Sequence, residues 1–152
     1  METDVRGIEN LCLERIHLFQ RLLDCVTIEK DSLVELNVKK LWSLMEEKQQ
    51  IIESLEQSRN RIGELIDLEN PYQHIPDGDR RMFMSIFHKI EQLKGEIKQR
   101  IQENVSIIQE SLSFFHDLVS VFANSAKKEN TYEEMVRGKA LESSSIFCQR
   151  EA

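Results

Sequence analysis

The stretch SLVELNVKKL, residues 32–41, sets how the first half of the chain is organised. Upstream, an apolar stripe runs Cys12, Ile16, Phe19, Leu23, Val26, Lys30, Leu33, with steps that alternate four and three as in a coiled-coil seam. Downstream, a second stripe runs Val38, Leu41, Met45, Lys48, Ile52, Leu55, Arg59, Ile62, Ile66. The two stripes do not join in register, because Leu33 to Val38 is a step of five. Asn37 sits at the junction, where its side chain can cap a new helix or mark a kink. The absence of Gly and Pro there argues against a tight reversal, so residues 8–68 are expected to form one long arm, bent near Asn37 (helices about 8–36 and 38–68).

Further along, ENPYQHIPDGD (69–79) is the strongest punctuation in the chain. Pro71 disfavours the helical conformation at Asn70, and Pro76, Asp77 and Gly78 form a turn cluster with Asp79 placed to cap the next helix. The chain is expected to reverse there into a third helix over about 80–125, built on Phe83, Ile86, Ile90, Leu93, Ile97, Ile101, Ile108, Leu112, Phe115, Val119 and Phe122. At ~1.5 Å per residue that helix is about 70 Å long, whereas 38–68 gives about 46 Å. It is therefore expected to pass Asn37 and continue along the first segment, with Ile66 opposite Met82 and Val26 opposite Phe122. On that geometry the stripe of residues 8–24 has no internal partner. The fold class is all-α: an elongated antiparallel helical hairpin or coiled-coil bundle of three main helices. Residues 1–126 form the helical domain and 127–152 a partly flexible tail. Thr131 and Glu134 make a capping-box pattern, so the tail is expected to carry a short helix at 132–137 closed by Gly138.

Composition agrees with long helices and a narrow seam: 40 % hydrophobic, 7 % aromatic, 31 % charged, with five Gly and two Pro in 152 residues. The net charge of −7 argues against nucleic-acid binding, which rests on Lys/Arg neutralising phosphates. No run of about 18 apolar residues is available to span a membrane, and METDVRGIENL lacks the order of a secretory signal. Cys12, Cys25 and Cys148 match no metal-binding spacing and read as structural thiols of a reduced, cytoplasmic protein.

No catalytic constellation emerges. Glu14 and His17 form one Glu-x-x-His, but helical metal sites use that unit twice, and His88 and Glu91 stand in reverse order. His74 lies in the turn and His116 beside Asp117 on a polar edge, both read as solvated. There is no His-Glu-x-x-His, no Gly-rich phosphate loop and no Gly-x-Ser-x-Gly elbow. A narrow bundle is also not expected to enclose a pocket. No metal, cofactor or catalytic residue is expected. Lys48 and Arg59 are expected to snorkel out of the seam, and Asn104 to fix register. Phe114 falls off the main stripe and is a candidate for exposed contact.

Three segments resemble the flagellar export chaperones called FlgN. LNVKKLWSLMEEKQQIIESLE (36–56) is similar in placing Lys48 before the apolar pair Ile51 and Ile52. ENVSIIQESLSFF (103–115) is similar in its Asn104, then Ile107 and Ile108, then Ser111 and Leu112. TYEEMVRGK (131–139) is similar to a Thr-Tyr followed by Gly-Lys, although the spacer here is longer and more helix-prone. The resemblance implies a cytoplasmic, non-enzymatic chaperone for hook-associated proteins of the hook–filament junction (FlgK and FlgL type), held by their C-terminal helices until delivery to the type III export gate. It implies client contact through the C-terminal part: Leu112, Phe115, Val119, Phe122, Met135 and Leu141. It also implies that Tyr132 docks at the export gate. The alternative is a structural or adaptor coiled coil that self-associates, as a homodimer, through the stripe of residues 8–24.

Overall fold

The computed structural model describes residues 4–140, which carry three α-helices, one 3-10 turn and, among the described residues, no strand. The helices are α1 (Val5–Val34), α2 (Val38–Leu65) and α3 (Arg80–Ala140), with the 3-10 turn at Pro71–His74. The chain divides into two compact units, Met1–Ile108 and Gln109–Ala152.

The first unit is a three-helix bundle, and its topology is set at residues 32–38. There the chain reverses. Asn37 N–H donates to the Ser32 carbonyl at 2.9 Å and Leu36 N–H to the Leu33 carbonyl at 3.2 Å, the paired bonds of a Schellman helix end. Leu36 takes the left-handed conformation that this motif needs, with φ 55°, although a leucine there costs about 1 kcal/mol that a glycine would not. Asn37 then caps α2 at once, its Oδ1 accepting from Lys40 N–H at 3.1 Å. The kinked arm expected from the missing Gly and Pro is therefore corrected. The hydrogen bonds closing α1 and the Asn37 cap together stabilise a turn that residue type alone did not signal.

Cross-helix contacts fix directions within this unit. Glu14 faces Arg61, Arg21 faces Glu47 and Glu29 pairs with Lys48, so α2 runs antiparallel to α1. Lys30 pairs with Glu103 at 3.2 Å, and Asn104 Nδ2 donates to the Val26 carbonyl at 2.9 Å, while Lys94 lies 6.0 Å from the Phe19 ring. The first part of α3 thus runs parallel to α1. Val26 meets Asn104, not Phe122 as the length argument required, because the reversal at Leu36 halves the arm that α3 was expected to follow.

The core reflects that arrangement. Ile8, Cys12, Phe19, Leu22 and Cys25 of α1 pack with Leu44, Ile51, Leu55 and Ile62 of α2 and with Phe83, Ile86, Ile90, Leu93 and Ile97 of α3. Residues 8–24 are therefore not an unpartnered stripe; Cys12 is 1 % and Phe19 8 % exposed. On α2 the buried row is Leu44, Ile51, Leu55, Ser58, Ile62, spaced seven, four, three and four. Met45 and Ile52, expected in the seam, are exposed. Leu55, Ile62 and Ile66 of the expected stripe are buried, while Leu44, Ile51 and Ser58 take the places of Met45, Ile52 and Arg59, which leaves Lys48 and Arg59 out of the row. Ile75 of the connection is also buried and joins the core.

Asn104 is 3 % exposed and closes the bundle at its Glu29 level. Its Nδ2 donates to both Val26 O and Glu29 Oε2, and Glu29 in turn accepts from Lys48 of α2. One carboxylate thereby ties three helices together, a polar layer of the sort that pins register. Asn104 Oδ1 is left without a partner among the described residues.

Candidate helical docking face

The second unit, taken by itself, is the helical stretch of α3 from Gln109 to Ala140. The helix does not stop near Ser125. Thr131, expected to cap a separate short helix, instead donates its hydroxyl to the Lys127 carbonyl at 2.7 Å, one turn back. With no Pro between Asp79 and Ala140 and with Ala, Lys and Glu dominating 126–134, nothing in the sequence forces a break.

Residues 112–124 are sorted around this helix. At about 100° per residue, Val121, Phe114, Leu118, Phe122, Phe115, Val119 and Leu112 follow one another over roughly half the circumference. Ala123, His116, Ser120, Ser113, Asn124 and Asp117 fill the other half. His116 Nδ1 lies 3.7 Å from Asp117 on that polar side, in full contact with solvent. The apolar half carries no ionisable group. Its side chains stand in water: Leu112 is 63 %, Phe115 52 %, Val119 66 % and Phe122 70 % exposed. Phe114 packs edge-on against Phe115, ring centroids 6.1 Å apart, so the pair forms a preassembled aromatic ridge.

Of the expected client-contact residues, Leu112, Phe115, Val119 and Phe122 share this half. Met135 does not. It is exposed, but thirteen residues beyond Phe122 the helix has turned by roughly 220°, which puts it on a different side. Tyr132, which is 71 % exposed, stands eighteen residues past Phe114, five full turns on, and so keeps the angle of the ridge's Phe114 edge. Leu141 and Cys148 lie outside the described residues. Val121, also exposed, escapes a heptad reading because it falls off that row; a count of apolar angle around the helix, instead of along one stripe, finds it.

The polar residues of the bundle have ordinary partners. Glu14 lies 3.9 Å from Arg61, and Glu91 pairs with Lys94 at 2.7 Å. No group of three or more His, Cys, Asp or Glu side chains is placed to hold a metal ion among the described residues. Cys12 and Cys25 are buried thiols, and burial pushes both above the usual cysteine value, which keeps them protonated and unreactive. No described helix is long and apolar enough to cross a membrane.

A family model described as FlgN protein matches residues 1–136, which include both the bundle and the docking face. Comparison with curated proteins and with solved structures gave no match. The match covers most of the 152 residues: the chain belongs to the FlgN family, the flagellar export chaperones.

Proposed function

We propose that the protein holds the C-terminal helical segments of hook–filament junction proteins (hook-associated proteins of FlgK and FlgL type) in the cytoplasm and delivers them to the type III export gate. The observation that supports it is the apolar half of residues 112–122: large side chains, uncharged, exposed and regular. An amphipathic client helix buries its own apolar face against such a surface by helix packing.

Magnitudes favour a reversible grip. Burying the side chains of Leu112, Phe114, Phe115, Val119, Val121 and Phe122 contributes about 9–18 kcal/mol in gross terms, at ~1.5–3 each. Association costs about 4–15 kcal/mol, so the surplus suits binding near micromolar, about −8 kcal/mol. Such a client leaves when the export machinery engages it, without nucleotide hydrolysis by the chaperone. Tyr132 and Met135 lie ten and thirteen residues beyond Phe122, about 15 and 20 Å further along the helix, and are free to meet the export gate while the client is held.

Removing residues 127–152 tests the division of labour. The truncated chain is expected to keep the bundle and retain client binding through Leu112–Phe122, while losing delivery. Loss of client binding in that truncation would move the client site to the tail. Light scattering covers the alternative: a stable homodimer that dissociates on Phe122→Asp would assign the face to self-association.

A further inference from the structure

Contrary to what a narrow bundle suggests, the first unit contains a cavity of about 420 Å³, within the ~300–1,000 Å³ typical of ligand pockets. Its floor is apolar: Cys12, Ile62, Ile66 and Ile90 are all buried, none more than 6 % exposed. Three cations, Arg15, Arg59 and Lys94, converge on it, against one acid, Glu91, which is already bridged to Lys94 at 2.7 Å. In a chain of net charge −7 such a gathering is against the average.

Lys94 is paired with Glu91, whereas neither arginine has an ion pair among the described residues. Arg15 is half-buried and donates one N–H, from Nη1 to the Leu55 carbonyl at 2.8 Å, while its guanidinium lies over the Phe19 ring at 5.4 Å. Its other donors remain. Lys94 approaches the same ring at 6.0 Å. Arg59 is exposed and makes no ion pair among the described residues. Burial holds Arg15 below the usual arginine value, and the like charge of Arg59 adds to this; a bound anion would offset that repulsion. The lining also includes Leu68 and Tyr72, 45 % and 37 % exposed, so its apolar surface reaches solvent, which favours an extended ligand over a compact one.

We propose that this cavity binds an acidic peptide segment of a partner protein, one large apolar side chain resting on the isoleucine floor and a neighbouring Asp or Glu carboxylate held between Arg15, Arg59 and Lys94. The site lies wholly within the first unit and does not depend on the client face.

The test is an amide-resolved NMR titration of the full chain with acetyl-Gly-Phe-Glu-Leu-Gly-amide. The matched peptide with Lys in place of Glu and free 3-phenylpropionate serve as the other arms. Saturable shifts at Ile62, Tyr72 and Ile90 with the acidic peptide, and none with the basic one, are expected. Arg59→Glu, at an exposed position that leaves the fold intact, should weaken the acidic peptide about tenfold, as charge reversal at a contact does, and leave junction-protein binding unchanged. Equal binding of the Lys peptide, no shifts at millimolar peptide, or binding of phenylpropionate without the peptide would each overturn the proposal.

Discussion

Two parts of α3 use the same residue types to opposite ends. From Phe83 to Ile97 the apolar row spans an arc of about 80° and every member is buried, although two other helices pack around it. From Leu112 to Phe122 the matching row Leu112, Phe115, Val119, Phe122 spans the same arc of about 80°, yet every member is exposed. The same spacing that meets two neighbouring helices in one part stands in solvent in the other. The difference separates residues that hold the fold together from residues available to a partner, and it puts the exposure of an uncharged apolar row, not its spacing, as the mark of a docking surface.

Cutting one side chain from each part puts that contrast under the greatest strain. Phe83→Ala should cost about 3–5 kcal/mol of stability, because Phe83 is 0 % exposed and leaves a cavity. Phe122→Ala should change stability by no more than about 0.5 kcal/mol. Urea unfolding of both variants measures this directly, and equal losses would show that the 112–122 face is packed after all. Next in size, Phe115→Ser with Phe122→Ser should weaken client binding by about 2 kcal/mol or more, the scale of interface hot spots, at an unchanged unfolding midpoint.

Asn104→Ala tests whether the polar layer contributes to the packed side of the contrast. It removes the second hydrogen bond to the Val26 carbonyl, which keeps its helical one, and a partner from the half-buried Glu29, so a loss of about 1 kcal/mol is expected. Of similar size, Leu36→Gly should raise stability by about 1 kcal/mol by relieving the left-handed backbone. Gly95→Ala should give a similar gain, since a methyl group there meets nothing within 4 Å. If Leu36→Gly destabilises, the exposed leucine has a packing role that its 64 % exposure does not suggest.

The smallest effect is in the pH profile. The hydrogen bond from Lys30, and the Arg100 charge beside it, hold the Glu103 carboxyl below its ordinary value. A depressed carboxylate stabilises the fold above its unfolded pKa, and that stabilisation disappears as pH falls through the lower folded value. Lys30→Met should therefore lower the neutral plateau slightly and leave stability at acid pH nearly unchanged, which flattens the acid limb of the profile. An unchanged limb would leave the Lys30–Glu103 pair as a surface contact without energetic weight.

Much of this is legible in the residues. The row Phe83, Ile86, Ile90, Leu93, Ile97 can be read because five apolar residues at alternating three and four spacing leave a helix one face to bury. The client-face residues Leu112, Phe115, Val119 and Phe122 continue that spacing, and the family resemblance marks them as a contact surface. What escapes is the reversal at Leu36. It is made by backbone hydrogen bonds and a left-handed leucine, and a leucine carries no local signal for that conformation. The error propagates: with one arm instead of two, helix lengths place Val26 at Phe122 and leave residues 8–24 bare. On α2, Leu55, Ile62 and Ile66 are read correctly, and the other positions are one residue off for a related reason. Ser58 is polar and gives no apolar signal, while Lys48 and Arg59 fall at heptad spacing and enter the seam by position alone. The cavity at Cys12, Arg15 and Arg59 cannot be read, since it exists only where α1, α2 and α3 meet.

The claim that matters most is that residues 112–122 hold a client helix. Calorimetric titration tests it, using the intact chain and its Phe115→Ser/Phe122→Ser variant against the C-terminal helical segment of a hook–filament junction protein from the same organism. Binding near micromolar by the intact chain, weakened about thirtyfold or more in the variant at equal stability, is the expected result. No binding by the intact chain, or equal binding by the variant, would contradict it.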